Sequence, residues 1–261
     1  MTVLLHELKQ NKLSVIIWSA VIAFMLGVSI MIYPEMSAQM GDFSDMFANM
    51  GAFSDAFGMD QINFGEFMGY FGVECGNVLG LGGPFFAAIT AVSVLAKEEK
   101  NKTAEFLLTH PVSRKRIITG KLFAVITQII VLNVSVMAVS CIAAIVIGES
   151  PEWGKIALIF LAYFLLEAEV AFICFGLSAF LRKGGFAAGL GITMVFYFIN
   201  IIANITDELK FLKYITPYGY TDSGYIIKNG TLDIKYMWVG LIFAAAGIIT
   251  AYGVYTKKDI K

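Results

Sequence analysis

The sequence predicts an all-α polytopic membrane protein with six transmembrane helices and a charged, amphipathic segment between the second and third. Three observations carry this. The 261 residues are 58% hydrophobic and only 15% charged, more apolar than a water-soluble domain needs. The apolar residues gather into six blocks, each about as long as a bilayer-crossing helix requires. Lys and Arg are shared unequally among the polar runs that separate those blocks.

Residues 2–12 combine Val3, Leu4, Leu5 and Leu8 with His6, Glu7, Lys9 and Lys12, the make-up of a short interfacial helix. The first span is read over 13–33, with Trp18 and Tyr33 as aromatic anchors. It is too long for a signal-peptide core and lacks a small-residue cleavage site before Pro34, so it is kept as a span. Residues 34–75 hold seven acidic residues and no Lys or Arg. They are too polar to span and too aromatic for plain disorder. Phe43-Ser-Asp-Met-Phe47 is echoed by Phe53-Ser-Asp-Ala-Phe57, which is too few copies for a solenoid. This outer loop is expected to form short helices that lie on the outer membrane surface or cap the transport path.

The second span, 76–96, contains Gly80, Gly82, Gly83 and Pro84, a cluster that permits a kink where protein or water satisfies the freed backbone. The charged segment 97–121 follows. The third span covers 122–147, the fourth 155–181 and the fifth 185–205, where Gly185, Ala188 and Gly189 offer small-residue packing. Residues 206–235 form a second outer loop, with aromatics around Pro217. The sixth span covers 236–255. With the N-terminus inside, 14 of the 19 Lys and Arg fall on the inner side and five on the outer. That asymmetry predicts a single membrane domain with both termini cytoplasmic.

Several chemistries are excluded. The net charge of −1 gives no reason to expect a nucleic-acid partner. Cys75, Cys141 and Cys174 are too scattered for a disulfide framework or metal site, and His6 and His110 fit no ligand spacing. Gly120-Lys121 is followed by Leu122, and Lys115 stands where a phosphate-binding loop needs glycine. No serine elbow appears. The chain is therefore expected to have no catalytic residues, to bind no cofactor, and to be unable to hydrolyse ATP.

Glu167 and Glu169 lie near the middle of the fourth span, where an ionised side chain costs about 2.5–3.5 kcal/mol on insertion scales. Two residues apart is about 200° of helical rotation, so they cannot share a face. Two readings are open. One glutamate lines a transport path or proton relay, or both are carboxyls hydrogen-bonded to neighbours such as Asn133, Gln128 or Asn200. Asn200 and Asn204, four apart in the fifth span, share one face. They are candidates either for the path or for helix-to-helix packing.

Residues 97–121 hold seven Lys or Arg and three Glu. Thr103, Phe106, Leu107 and His110 form one stripe at helical spacing. Pro111 ends that helix, and Ser113 is the expected N-cap of the next. Glu98-Glu99, then Thr103-x-Glu105-x-Leu107-Leu108, then Pro111-Val112-Ser113-Arg114 and Gly120-Lys121 ahead of an apolar helix resemble the type-2 ABC transporter permease family. The likeness is specific over this segment and extends loosely through the six-span layout.

The resemblance implies that the segment is a cytoplasmic coupling helix docking a separate ATPase subunit, through Glu98, Glu99, Thr103, Glu105, Phe106, Leu107, Leu108, Pro111 and Arg114. It implies a membrane-spanning permease subunit of a bacterial plasma-membrane exporter. That subunit would pair with a second permease as homodimer or heterodimer, with ATP and Mg on the partner ATPase. Pro217-Tyr-Gly-Tyr220 resembles the family's Pro-aromatic element before the last span. Two other function classes stand beside this one: a proton-coupled secondary carrier using Glu167 or Glu169, and a non-transporting membrane scaffold or immunity protein.

Overall fold

The computed structural model describes residues 2–48, 65–97, 113–181 and 185–258, and among them there is no strand. Six helices are long and apolar enough to cross a membrane. They belong to α1 (Thr2–Ala48), α2 (Phe67–Ser93), α3 (Arg114–Val146), α4 (Trp153–Ser178), α5 (Phe186–Ile205) and α7 (Ile234–Lys257). Between α5 and α7 come two 3₁₀ segments, Asp207–Tyr214 and Pro217–Tyr220, and the short α6 (Ser223–Asn229).

The bounds of α1 and α2 differ from the sequence expectation, while α3 starts where Ser113 is expected to cap it. Residues 2–12 are not a separate interfacial helix, and Pro34 does not end the first span: α1 runs unbroken through both. Proline removes one backbone donor, and a long helix braced along its flank absorbs that loss. Here Tyr70 donates to the Ser29 carbonyl at 2.9 Å, and Tyr33 to the Gly65 carbonyl at 3.0 Å. Helix α2 begins at Phe67 rather than at 76 and stays helical through its glycines and Pro84. Helix α3 begins at Arg114, so its first two turns carry the basic residues. Ser113 caps it, accepting from the Arg116 amide at 3.3 Å. The second 30-residue loop is ordered into short helices. Asp222 caps α6 by accepting from the Tyr225 amide, and Gly230 closes it at φ 66°, where L side chains are disfavoured.

Helix α4 is the centre of the bundle. Of its most apolar stretch 61% is buried, against 17% for α5 and for α7. It packs on α2, α3 and α7, while α1 lies along α3. The core runs through Leu26, Phe71, Phe86, Ile129, Leu166 and Phe175, all fully buried. The three cysteines are free thiols. The start of α1, the end of α7, the end of α2 and the start of α3 meet at one end of the bundle, called here the terminal end. The short helices of 207–229 cover the opposite end.

Candidate functional site

Glu167 is fully buried between α2, α3 and α4. Its Oε2 accepts from Asn133 Nδ2 at 2.6 Å, and Asn133 also donates to the Ile129 carbonyl at 3.0 Å. Glu167 Oε1 and Asn133 Oδ1 are buried with no hydrogen-bond partner. The carboxyl sits where a side chain on Gly83 would be, since a Cβ there would lie 2.0 Å from Glu167 Oε1. Tyr163, one turn earlier on the same face of α4, fills the next recess of α2. A Cβ on Gly80 would lie 2.9 Å from its ring, and one on Gly76 would lie 3.2 Å from its hydroxyl. The glycine cluster of the second span therefore is not a break. It is a smooth strip that admits two large polar side chains from α4.

Glu169 faces the other way, as the helical rotation requires. Its carboxyl occupies the place of a side chain on Gly240 of α7, where a Cβ would lie 2.0 Å from Glu169 Oε2. The hydroxyl of Tyr220, in the second 3₁₀ segment, faces this carboxyl without reaching hydrogen-bond geometry. Farther along, Gly176 of α4 and Gly247 of α7 bring backbone against backbone, leaving 2.6 Å between a Gly176 Cβ and the Gly247 carbonyl oxygen. Each of these two α4 carboxyls is thus matched by a missing side chain on a neighbouring helix.

At the opposite end a cavity of about 90 Å³ lies between α2, α5 and the short helices. Asn200 and Asn204 line it together, both half-buried. Asn77, Tyr163, Tyr218 and Ser223 complete its polar wall. The Tyr163 hydroxyl stands 3.4 Å from Ser223 Oγ and 3.5 Å from the Thr221 carbonyl. Lys213 and Asp222 meet across the rim at 3.6 Å. Tyr163 thus lines the cavity and lies one turn from Glu167 on the same face of α4. Sequence reasoning singled out Glu167, Glu169, Asn200 and Asn204 and did not name Tyr163, Asn77 or Gly240, which the structure places beside them. A tyrosine one turn before a mid-span glutamate was the available signal for the first.

Of the residues named for the charged segment, Glu98, Glu99, Thr103, Glu105, Phe106, Leu107, Leu108 and Pro111 lie outside the described residues. Arg114 is described, and its guanidinium reaches the end of α7. It donates to the carbonyls of Lys258 at 2.5 Å and of Tyr255 and Thr256 at 3.4 Å. Lys258 in turn donates to the Leu181 carbonyl at 3.1 Å. Thr119 and Tyr252 share a 2.6 Å hydrogen bond between α3 and α7. Arg114 thus caps the last helix, a role that sequence gave no hint of. Among the described residues no three His, Cys, Asp or Glu gather closely enough to hold a metal ion.

Six membrane-length helices around a buried, glycine-lined centre define a multi-pass α-helical membrane protein. Residues 1–260 match the family described as "ABC-2 family transporter protein", and the chain belongs to that family. Its six membrane-length helices fit a membrane-embedded chain of that family. It is also similar to "Uncharacterized protein YhcI" of Bacillus subtilis (strain 168), at 23% identity over 200 residues. That likeness covers 67% of this chain and 64% of the relative's length.

Proposed function

We propose that this permease is the membrane subunit of an exporter driven by a separate cytoplasmic ATPase, which docks on residues 97–121. Both termini then lie in the cytoplasm of a bacterial cell. Two permease subunits, identical or homologous, assemble with two ATPase chains, and ATP and Mg are bound there. Family membership along the whole chain, together with the acidic, Leu-Leu and Pro pattern of this segment, is the observation that carries the reading. The flanks of the segment are fixed to the bundle, Arg114 to the end of α7 and Lys97 and Lys121 to the start of α1. Nucleotide-driven closure of the ATPases would displace the segment and tilt a two-state bundle between inward- and outward-open forms.

The apolar stripe of Phe106 and Leu107 supplies the anchors for a groove on the partner. Truncating Leu107 to Ala removes contact worth on the order of 1–3 kcal/mol at a desolvated site. Glu105→Lys adds like-charge repulsion if that groove is basic. Capture of the ATPase from membranes by the tagged permease is the test. The Leu107→Ala, Glu105→Lys double variant inserts normally and loses the partner. Undiminished capture with normal transport would make the segment a solvated loop that does not dock the ATPase.

A second reading is favoured by one observation. Glu167 carries an unpartnered buried oxygen and lies one turn from Tyr163, which lines the cavity with Asn200 and Asn204. A path for protons or polar cargo along that face of α4 would use these residues, with Glu169 on the separate α7 face. Proton-coupled uptake into vesicles without ATP would establish it.

A further inference from the structure

The terminal end holds an ionic triad of two buried residues, Glu7 and Lys121, and the partly buried Lys97, and it lies on the two flanks of the docking segment. Glu7, in the second turn of α1, is 1% exposed. Its Oε1 accepts from Lys121 Nζ at 2.8 Å and its Oε2 from Lys97 Nζ at 3.0 Å. Lys121, with no exposure at all, also donates to the Val94 carbonyl at 2.7 Å. Lys97 reaches Asn11 Oδ1 at 3.5 Å. Beside Lys121 is Gly120, whose Cβ would lie 3.1 Å from Val3 Cβ. The bare glycine lets the start of α1 settle against α3 at the height where the ion pair forms.

Charges this deep persist only when paired with good geometry. Here each carboxylate oxygen has its own cation, one from four residues past the end of α2 and one from the second turn of α3. The two oxygens are fixed relative to each other, so neither flank can slide without breaking a bond, and the bond to Lys121 is buried. The first turns of α1, the end of α2 and the start of α3 are therefore one mechanical unit. Helix α1 then lies along α3 for much of its length.

We propose that Glu7 is a positioning residue that yokes α1 to both flanks of the docking segment, so that α1 is the helix the ATPase moves. The inference rests on the reading that residues 97–121 dock the ATPase. Glu7 itself makes no contact with the partner. It acts by holding Lys97 and Lys121 to one point, which converts displacement of the segment into displacement of a span.

Double electron–electron resonance on the full-length permease in nanodiscs tests this, in a background with Cys75, Cys141 and Cys174 replaced. Spin labels go on Gln10 and Lys115, both exposed. With the permease alone, Glu7→Gln is expected to at least double the width of the distance distribution, and Glu7→Asp, which keeps the charge, to recover most of the parent width. An unchanged width in Glu7→Gln overturns the yoke, whether or not an ATPase binds.

In complex with the captured ATPase, labels on Gln10 and Trp153 follow α1 between ADP-bound and ATP–vanadate-trapped states. The parent is expected to show a shift that Glu7→Gln loses, while ATP hydrolysis stays within about twofold of the parent's. A shift of parental size in Glu7→Gln refutes the role of Glu7. Failure of the parent to bind any ATPase refutes the docking reading instead, leaving the first measurement to decide the yoke. Should Glu7→Gln not purify as a monodisperse protein, Lys97→Gln takes its place in the first measurement alone, where an unchanged width overturns the yoke.

Discussion

Gly83→Ala is the most direct probe of the buried carboxyl at the centre of the bundle. A methyl group there would lie 2.0 Å from Glu167 Oε1, 2.7 Å from Cδ and 3.2 Å from Cγ. The carboxyl cannot swing away freely, because its other oxygen is held by Asn133 at 2.6 Å and the residue is completely enclosed. Alanine favours the helix by about 1 kcal/mol over glycine. Overpacking of this kind costs about 1–3 kcal/mol, and detaching the carboxyl from Asn133 costs about 1–2 kcal/mol more inside a membrane bundle. The net expectation is a loss of about 1–4 kcal/mol.

Gly82→Ala is the control. Its Cβ would meet only the Ile22 side chain, at 3.0 Å and 3.1 Å, which can move, so its stability should change by less than about 1 kcal/mol. Thermal unfolding of the purified permease in detergent is the assay, with Glu167→Ala and the Gly83→Ala, Glu167→Ala double variant completing a mutant cycle. Removing the carboxyl should make Gly83→Ala harmless, giving a coupling of about 1 kcal/mol or more. If Gly83→Ala is as stable as the parent, or the cycle shows no coupling, then Glu167 does not occupy the recess on α2.

Two further outcomes follow from the same geometry and from the charge distribution. Glu167→Gln and Glu169→Gln should both insert at parental levels, since neutralising a mid-span carboxyl eases burial. Loss of transport in an assembled Gln variant would place that residue on the path, whereas parental transport by both leaves them a packing role. For topology, an introduced cysteine at Ser54 should be labelled quickly on intact cells, and one at Asn101 only after permeabilisation. The reverse pattern would end the orientation drawn from the Lys and Arg asymmetry.

The sequence by itself determined the class. Six apolar blocks of spanning length force helices in a bilayer, because no other open structure satisfies its own backbone there, and the motif around Glu98–Lys121 pointed to the family that the whole chain matches. It also required Glu167 and Glu169 to face apart, since that follows from helical rotation alone.

What only the tertiary structure decided was what each polar group meets. Pro34 reads locally as a helix end, yet α1 passes through it, because packing against Tyr70 and Gly65 lies outside any local window. The glycines of the second span read locally as a break. Their use appears only when Tyr163 and Glu167, some 80 residues away in sequence, lie against them. Glu7 looked like one polar residue on an interfacial helix, and Lys97 and Lys121 like two among seven cations. Their union is a contact across about 90 and 114 residues of chain. Periodicity and composition describe a helix's own faces, whereas partners across a bundle are set by which helices the fold brings side by side, and a single sequence does not encode that in any local pattern.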